Sequence, residues 1–363
     1  MFKTLFFLVR TRRSLLSGLG ISALIYIVIS TLLGVHYVTP ECYMDIQINE
    51  SDSVGLKKLD DVLLSEIKPR SGRSIFFHET RCHSNNGVNI FKLSARQACS
   101  IESAALNNPN LQVFIIFATP TYTSDDQKDP ILDAIQSYRN VNLRYLNIWR
   151  YVKDTPIEKW FIKGDLFHSQ FLPEHMSDLL RLITLYRFGG IYLDLDVVVL
   201  RSLELVPLNY VGAHDNETLG NAVISVEPRG IGHELTELLL HYYQNHYNAD
   251  AYVSNGPSLI SQVFFKFCNN SSVKKMQEDP ANCRGFKVFN ETAFFPLSWP
   301  EWPLFILPDF KNEIFERTKS SYLIHLWNKA SYEDLFRVGT DNAYGRYAEL
   351  HCPKTYAAAG KYF

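Results

Sequence analysis

The longest run of apolar positions lies near the start of the chain. Lys3, Arg10, Arg12 and Arg13 precede residues 14–38, which contain no Asp, Glu, Lys or Arg. About 20 apolar residues cross a bilayer as a helix, whereas a cleaved signal peptide has an apolar core of about 7–15 residues. This run is longer than such a core, and no convincing cleavage site follows it. We therefore predict an uncleaved transmembrane helix.

This helix predicts how the rest of the chain is organised. A basic flank favours the cytoplasmic side of a membrane, so residues 1–13 are predicted to be a cytoplasmic tail. Residues 14–38 are then a signal-anchor, and the remainder is luminal, as in a single-pass type II membrane protein. Residues 39–73 are mixed and polar, with a helical pattern near residues 59–67, and we interpret them as a luminal stem. Residues 74–363 then form the catalytic domain.

Beyond the predicted stem, short apolar runs alternate with helical patterns. Strands are predicted at 74–77, 113–117 and 142–146, and helices at 96–106 and 131–138. The run at 113–117 is wholly apolar, which is typical of a strand buried on both faces. This alternation predicts an α/β domain with a largely parallel sheet, whose ligands bind beyond the carboxyl ends of the strands.

Residues 177–200 are the most informative segment. Apolar positions first repeat at helical spacing, Ser177 is a good N-cap residue, and the glycine pair at 189–190 ends the helix. Strand-forming residues then lie on both sides of Asp194 and Asp196. We therefore expect these two carboxylates at the mouth of a strand or at a break in one.

The overall composition limits the classes of protein to which the chain can belong. Hydrophobic residues make up 46% and charged residues 20% of the chain, which indicates a globular protein. The 36 basic residues nearly balance the 38 acidic ones, and this gives no support to nucleic-acid binding, which favours a strong positive excess.

The cysteines and glycosylation triplets fit an oxidising, luminal compartment. There are six cysteines and no CxxC zinc pattern. The neighbours in sequence, Cys82–Cys99 and Cys268–Cys283, are candidate disulfides, and other pairings stay open. The Asn-x-Ser/Thr pattern makes five residues candidates for N-glycosylation: Asn49, Asn216, Asn269, Asn270 and Asn290.

Asp194 and Asp196 lie in very apolar sequence. Burial of an unpaired charge is costly, and a bound cation would remove that cost. Carboxylate oxygens suit Mg²⁺ or Mn²⁺, which keep positions that phosphate oxygens can fill. We therefore predict that both residues bind a divalent metal. The alternative is a solvated turn, because an isolated Asp-x-Asp pattern is a weak signal.

The surrounding residues resemble a known family. Ser177-Asp178-x-x-Arg181, followed by Phe188-Gly-Gly-Ile-Tyr-x-Asp194-x-Asp196, resembles the DxD glycosyltransferases of the α1,4-galactosyltransferase and α1,4-N-acetylglucosaminyltransferase family, glycosyltransferase family 32. The resemblance covers about residues 74–363 and includes five further segments: Phe77-His-Glu-Thr80, Cys99-Ser-Ile-Glu-Ser-Ala-Ala105, Asn255-Gly-Pro257, His325-Leu-Trp-Asn-Lys329 and Cys352-Pro-Lys-Thr355.

The resemblance implies a fold and an activity. The fold would be a GT-A type nucleotide-sugar-binding domain, a Rossmann-like mixed sheet flanked by helices, in the Golgi lumen. The activity would be metal-dependent, retaining transfer from a UDP-sugar, with Mn²⁺ (or Mg²⁺) as cofactor. A galactose-type hexose would move in α1,4 linkage to a glycolipid glycan such as lactosylceramide. The alternative donor sugars are N-acetylgalactosamine and N-acetylglucosamine, with a glycolipid or an O-glycan as acceptor.

The resemblance also assigns roles to single residues. Asp194 and Asp196 would be catalytic and would bind the metal together with His325. The donor would be bound by seven residues: Asp178, Arg181, Tyr192, Asn221, Gly256, His325 and Trp327. A structural role is the alternative for several of them. Asp178 and Arg181 could be an ordinary surface pair, His325 a core histidine, and Asn221 a loop residue.

The chain departs from the family pattern at two points. Leu195 stands where related chains often have Thr, at a position whose side chain usually varies. No residue stands out as a retaining nucleophile, although Asp215 and Glu217 are nearby carboxylates.

Two rival functions stay open. The Asp-x-Asp after an apolar strand also resembles a haloacid-dehalogenase phosphatase. A non-catalytic luminal glycan-binding protein would keep the fold without needing both aspartates.

Overall fold

The structure, a computed structural model, describes four stretches of the chain: residues 40–44, 55–85, 88–124 and 128–363. The predicted tail and signal-anchor, at 1–13 and 14–38, and the glycosylation candidate Asn49 lie outside the described residues. Within the stretches that are described, no helix combines the length and the apolar character that a membrane crossing requires. These stretches belong to one folded unit, Pro40–Phe363.

The strands are short and are distributed over the whole described chain. In chain order they are β1 Leu56–Lys58, β2 Ser74–Glu79, β3 Ser84–Asn85, β4 Val88–Ile90, β5 Gln112–Phe117, β6 Thr121–Ser124, β7 Val141–Tyr145, β8 Gly190–Leu193, β9 Val197–Val199, β10 Tyr210–Ala213, β11 Leu219–Val226, β12 Lys287–Phe289 and β13 Leu323–His325.

A seven-stranded sheet in the order β12-β10-β11-β8-β2-β5-β7 forms the centre. Strands β8, β2, β5 and β7 are parallel, whereas β11 is antiparallel to both β8 and β10. The predicted α/β fold with a mixed sheet is thereby confirmed. Strand β2 is buried along its whole length and β5 almost so, as expected for apolar runs covered on both faces. Two smaller sheets, β1-β6-β4-β3 and β13-β9, lie beside it.

Helices flank these sheets. In chain order they are α1 Ala95–Asn107, α2 Pro130–Gln136, α3 Ile148–Val152, α4 Glu158–Ile162, α5 Leu172–Phe188, α6 Ile231–His246, α7 Pro257–Phe267, α8 Val273–Glu278, α9 Glu291–Phe294, α10 Lys311–Thr318, α11 Asn328–Ser331, α12 Ala343–His351 and α13 Pro353–Ala358. Short 3₁₀ helices occur at Pro40–Tyr43, Asp165–His168, Pro280–Cys283, Trp299–Phe305 and Pro308–Phe310. The two helices and three strands predicted between residues 74 and 146 are confirmed, with ends shifted by one or two residues.

Helix α5 begins earlier than predicted. It starts at Leu172, because Pro173 is well suited to a first helical turn, so Ser177 is inside the helix and is not its N-cap. The predicted end at the glycine pair is confirmed. Gly189 has φ +60°, and a Cβ there would lie 2.6 Å from the backbone nitrogen of Pro228, so this sharp exit from the helix requires glycine.

The segment interpreted as a stem packs against the domain. Strand β1 pairs with β6, and Val62 is fully buried. The residues near 59–67 are not helical, so that prediction is wrong, because Asp61 organises a turn instead and pairs with Arg150 at 2.6 Å. Since the folded unit extends back to Pro40, the boundary predicted at residue 74 falls inside it.

Three disulfides occur in the described chain, with sequence separations of 40, 253 and 15 residues. Cys268–Cys283 is confirmed. The pairing Cys82–Cys99 is wrong: Cys82 pairs with Cys42, and Cys99 pairs with Cys352. Proximity in sequence misleads here because Cys99 lies on the face of α1 that packs against the C-terminal segment.

We expect the Cys99–Cys352 disulfide to contribute more stability than Cys268–Cys283. The loops they close span 253 and 15 residues. Chain-entropy estimates give roughly 5 kcal/mol for the long loop and roughly 3 kcal/mol for the short one. Urea unfolding of the double variants Cys99→Ser/Cys352→Ser and Cys268→Ser/Cys283→Ser measures this difference. Equal losses would show that loop length does not decide the contribution.

Candidate active site

A cavity of about 980 Å³ opens beyond the carboxyl ends of β2 and β8. Thr80, which follows β2, and Asp194, which follows β8, lie on its wall, and so does the start of α1 at Ala95. This is the edge where ligands of parallel sheets bind. The volume is at the upper end of the range of about 300–1,000 Å³ that small-molecule sites occupy.

Asp196, which is partly buried, and the buried His325 form a pair on this wall. Strands β9 and β13 are antiparallel with Val197 opposite His325, which places the imidazole beside Asp196. Its Nε2 lies 3.0 Å from Asp196 Oδ1, and the Asn328 N–H donates to Asp196 Oδ2 at 3.0 Å. Burial would raise the pKa of Asp196, but His325 and this N–H hold it below its usual value. Burial would lower the pKa of His325, but Asp196 raises it.

Asp194 is compensated by a different cation. Arg181, which α5 carries into the cavity, donates to Asp194 Oδ1 at 3.0 Å and to the carbonyl oxygen of Asn221 at 2.7 Å. The Tyr192 hydroxyl also donates to Asp194, at 2.7 Å, and the guanidinium lies 4.6 Å from the centre of the Tyr192 ring. Ser177, which lies inside α5 and not at the predicted N-cap, accepts a further hydrogen bond from Arg181. Arg181 is therefore held in one position.

Asp178 forms a second corner of the cavity. It lies 3.2 Å from Arg181 and accepts a hydrogen bond of 2.8 Å from the Asn221 amide. Burial raises the pKa of Asp178 to about 7, against the opposing effect of Arg181. A Cβ at Gly256 would lie 2.5 Å from the Asn221 amide nitrogen and 2.9 Å from an Asp178 oxygen. Only glycine at position 256 leaves this carboxylate–amide pair undisturbed.

Asp194, Asp196 and His325 fit a divalent cation. One ligand atom from each residue lies within 4.8 Å of the others. Two carboxylate oxygens and an imidazole nitrogen suit ions such as Mn²⁺ or Mg²⁺. A ligating imidazole must be neutral, so a bound cation would replace the proton that His325 shares with Asp196.

The structure brings the predicted donor-binding residues together. All of them line the cavity except Gly256, which lies directly behind Asp178 and Asn221. The Trp327 ring meets His325 edge-on at 4.3 Å, and its indole N–H donates to the carbonyl oxygen of Leu297. Asp178 is buried and Asn221 lies on β11, so the alternatives of a surface pair and a loop residue do not describe them. His325 is buried and contacts Asp196, which fits both a metal ligand and a core histidine, so its role stays a prediction.

Sequence reasoning missed several residues of the cavity wall. Lys329 pairs with Glu174 at 2.5 Å and lies 5.5 Å from the Tyr252 ring centre, which connects three separate segments at the cavity rim. Burial raises the pKa of Glu79, which accepts hydrogen bonds from Gln97 and from the Arg81 N–H. Lys329 and Glu79 both stand in segments that resemble the family, but neither had a partner visible in the sequence.

The glycosylation candidates within the described residues lie at the surface. Asn216, Asn269 and Asn290 are exposed, and Asn270 is partly exposed. Asn216 follows β10, in the turn that leads to β11 and Asn221. Their occupancy stays a prediction.

Two family models match adjoining parts of the chain. The first, a glycosyltransferase sugar-binding region containing a DXD motif, matches residues 94–218. The second, an alpha 1,4-glycosyltransferase conserved region, matches residues 228–359. These matches contain the DxD motif, Asn255–Pro257 and the C-terminal segments described above. They leave no support for the phosphatase alternative.

Individual proteins agree with these matches. Lactosylceramide 4-alpha-galactosyltransferase of Rattus norvegicus is 28% identical over 80% of this chain and 76% of its own. Alpha-1,4-N-acetylglucosaminyltransferase of Homo sapiens is 24% identical over 71% of this chain and 74% of its own. Among solved structures, the PaToxG glycosyltransferase aligns over 74% of this chain and 90% of its own, with a TM-score of 0.35 and 16% identity. The chain is a glycosyltransferase, and it is similar to the α1,4-glycosyltransferases in both of its matched regions.

Proposed function

We propose that this protein transfers galactose from UDP-galactose, with retention of configuration and in α1,4 linkage, to the glycan of a glycolipid such as lactosylceramide. The convergence of Asp194, Asp196 and His325 at one point of the cavity supports the proposal most directly. The names of relatives that match about 80% of the chain support the choice of sugar and acceptor.

Different cavity residues would bind the diphosphate and the sugar of the donor. A cation held by Asp194, Asp196 and His325 would neutralise the charge that develops on the departing diphosphate. Arg181 fixes the position of Asp194 through its bond of 3.0 Å. Asp178 and Asn221 present a carboxylate and an amide side by side, which suits the hydroxyls of the donor sugar. Lys329 lies at the rim, where it is paired with Glu174.

Retention requires that the new bond form on the face from which the diphosphate leaves. Asp215 and Glu217, the nearby candidates for a nucleophile, are exposed after β10, and neither is among the residues that line the cavity. We therefore favour a front-face reaction, in which the leaving diphosphate oxygen accepts the proton of the attacking acceptor hydroxyl. The acceptor oxygen then bonds to the anomeric carbon while the bond from that carbon to the diphosphate oxygen breaks.

The proposed setting is the Golgi lumen. The anchor predicted at 14–38 would hold the enzyme in the membrane, and the disulfides and surface glycosylation triplets agree with an oxidising compartment. Mn²⁺ is the proposed cation. Transfer of N-acetylglucosamine is the second candidate function, because a relative with that name matches 71% of the chain.

A donor screen tests the proposed function. The full-length protein in detergent, with Mn²⁺ and lactosylceramide, should use UDP-galactose at least about tenfold better than UDP-N-acetylgalactosamine or UDP-N-acetylglucosamine, because a pocket shaped for one sugar excludes a larger substituent. Linkage analysis of the product should show an α1,4 bond. A preference for UDP-N-acetylglucosamine would establish the second candidate instead, and absence of transfer with all three donors would overturn both.

Asp196→Asn should abolish metal-dependent activity while keeping the fold. The amide can still accept the Asn328 N–H, but it is a poor metal ligand, so we expect kcat to fall by about 10²–10³-fold, as for other lost electrostatic stabilisation. The rise in melting temperature on addition of Mn²⁺ should also disappear. Asp309→Asn, which removes an exposed carboxylate elsewhere, is the control. Full transfer by Asp196→Asn would show that the site is wrongly placed.

Asp178→Asn should change the pH dependence of stability. Because the pKa of Asp178 rises from 3.8 to about 7 on folding, the folded state binds an extra proton between these values. Its contribution to stability is therefore complete below about pH 4 and is lost as the pH rises towards 7. The melting temperature of Asp178→Asn, relative to wild type, should increase over this interval and level off above it. Parallel curves for the two proteins would contradict a raised pKa.

A further inference from the structure

The catalytic cavity extends to a surface made by the C-terminal end of the chain. We call this surface the C-terminal ledge and define it as residues 331–338 and 361–363. Phe336 and Phe363 exchange backbone hydrogen bonds of 3.0 and 2.9 Å, and the Val338 N–H donates to the Lys361 carbonyl oxygen at 3.0 Å. The ledge is therefore a short paired structure with a defined backbone.

One buried arginine holds the ledge in place. Arg96, in the first turn of α1, donates to the carbonyl oxygens of Ser331 and Asp334 at 2.7 Å each and to that of Phe363 at 3.2 Å. Its guanidinium also lies 5.8 Å from the centre of the Phe336 ring. These contacts attach the ledge to the start of α1.

The ledge exposes large apolar side chains at the cavity rim. Tyr332, Leu335 and Tyr362 are 58%, 56% and 49% exposed, and all three line the cavity that contains Asp194 and Asp196. Single exposed apolar residues are common, but apolar residues gathered at the rim of a binding cavity mark an interaction site.

The cavity lining has polar and apolar parts. Carboxylates, Arg181 and His325 surround the DxD motif, and the lining also includes Ala95, Ile131, Ala358 and Ala359 together with the ledge residues Tyr332, Leu335 and Tyr362. A ligand that fits this lining has a polar part and an apolar part. A glycolipid has this character, because its glycan must reach the reacting end while its lipid extends outwards.

We infer that the C-terminal ledge binds the apolar aglycone of a lipid-linked acceptor, so that Tyr332, Leu335 and Tyr362 select glycolipids over free or protein-linked glycans. This inference rests on the proposed function and adds to it the part of the acceptor that is recognised. The occupant is the acceptor's own lipid, which fits because the ledge continues the catalytic cavity.

Alkyl lactosides with methyl, butyl and hexyl chains test the inference on the full-length enzyme. For the wild type, KM should fall with each added methylene, because each buried methylene contributes to binding. In Leu335→Ser/Tyr362→Ser this dependence on chain length should flatten, with KM for the hexyl lactoside raised about tenfold, whereas KM for the methyl lactoside and for UDP-galactose stays within about twofold of wild type. Leu205→Ser, at a residue that is 91% exposed and lies outside the cavity lining, is the matched control.

Several outcomes would overturn the inference. A wild-type KM that is independent of chain length shows that the ledge does not bind the aglycone, although the proposed function would stand. An equal rise in KM for methyl and hexyl lactosides shows that these residues shape the glycan site. A change in oligomeric state on sedimentation shows that the ledge is an interface between copies. Absence of galactose transfer to every lactoside and to lactosylceramide would remove the proposed function as well.

Discussion

Compensation of buried negative charge is the constraint on which this site depends. Asp178, Asp194 and Asp196 converge on one cavity, and a buried carboxylate without a partner would be expensive. Arg181 lies within 3.2 Å of Asp178 and 3.0 Å of Asp194, and His325 lies 3.0 Å from Asp196. Removing one partner of such a buried pair typically costs about 3–5 kcal/mol. Arg181 and His325 therefore offset the charge of these carboxylates, and Asp194, Asp196 and His325 lie close enough together to bind a cation.

The partners come from segments that are far apart in sequence. Helix α5 supplies Arg181, the junction between β8 and β9 supplies Asp194 and Asp196, and β13 supplies His325. The antiparallel pairing of β9 with β13 brings His325 across about one third of the chain to Asp196. Charge compensation thus links the DxD segment to the C-terminal segment, and neither can shift without leaving a carboxylate unpaired.

Sequence reasoning succeeded where the signal was local. The structure confirms three features that depend only on neighbouring residues. They are the apolar run of β5, the helical spacing of apolar residues in α1 and the end of α5 at Gly189. Sequence reasoning failed for features that depend on contacts between residues far apart in the chain. Nothing near Cys99 in sequence indicates that Cys352 lies against the same helix face, and the pattern at 59–67 does not reveal the turn that Asp61 and Arg150 stabilise. The proposed roles of Asp178 and Asn221 follow from resemblance, but their mutual hydrogen bond and the close approach of Gly256 depend on tertiary packing that the sequence does not reveal.

One face of α1 holds the C-terminal segment in place. Arg96, Cys99 and Glu102 are spaced three residues apart, so they lie on one side of the helix. Arg96 binds carbonyl oxygens of the ledge, Cys99 is bonded to Cys352, and Glu102 accepts the N–H groups of Lys354 and Thr355 at 3.0 and 2.7 Å. These three attachments hold the ledge and residues 352–355 against α1, and the start of the same helix lines the cavity. Under the proposed function, a change in the packing of α1 would therefore move the proposed acceptor site relative to Asp194 and Asp196.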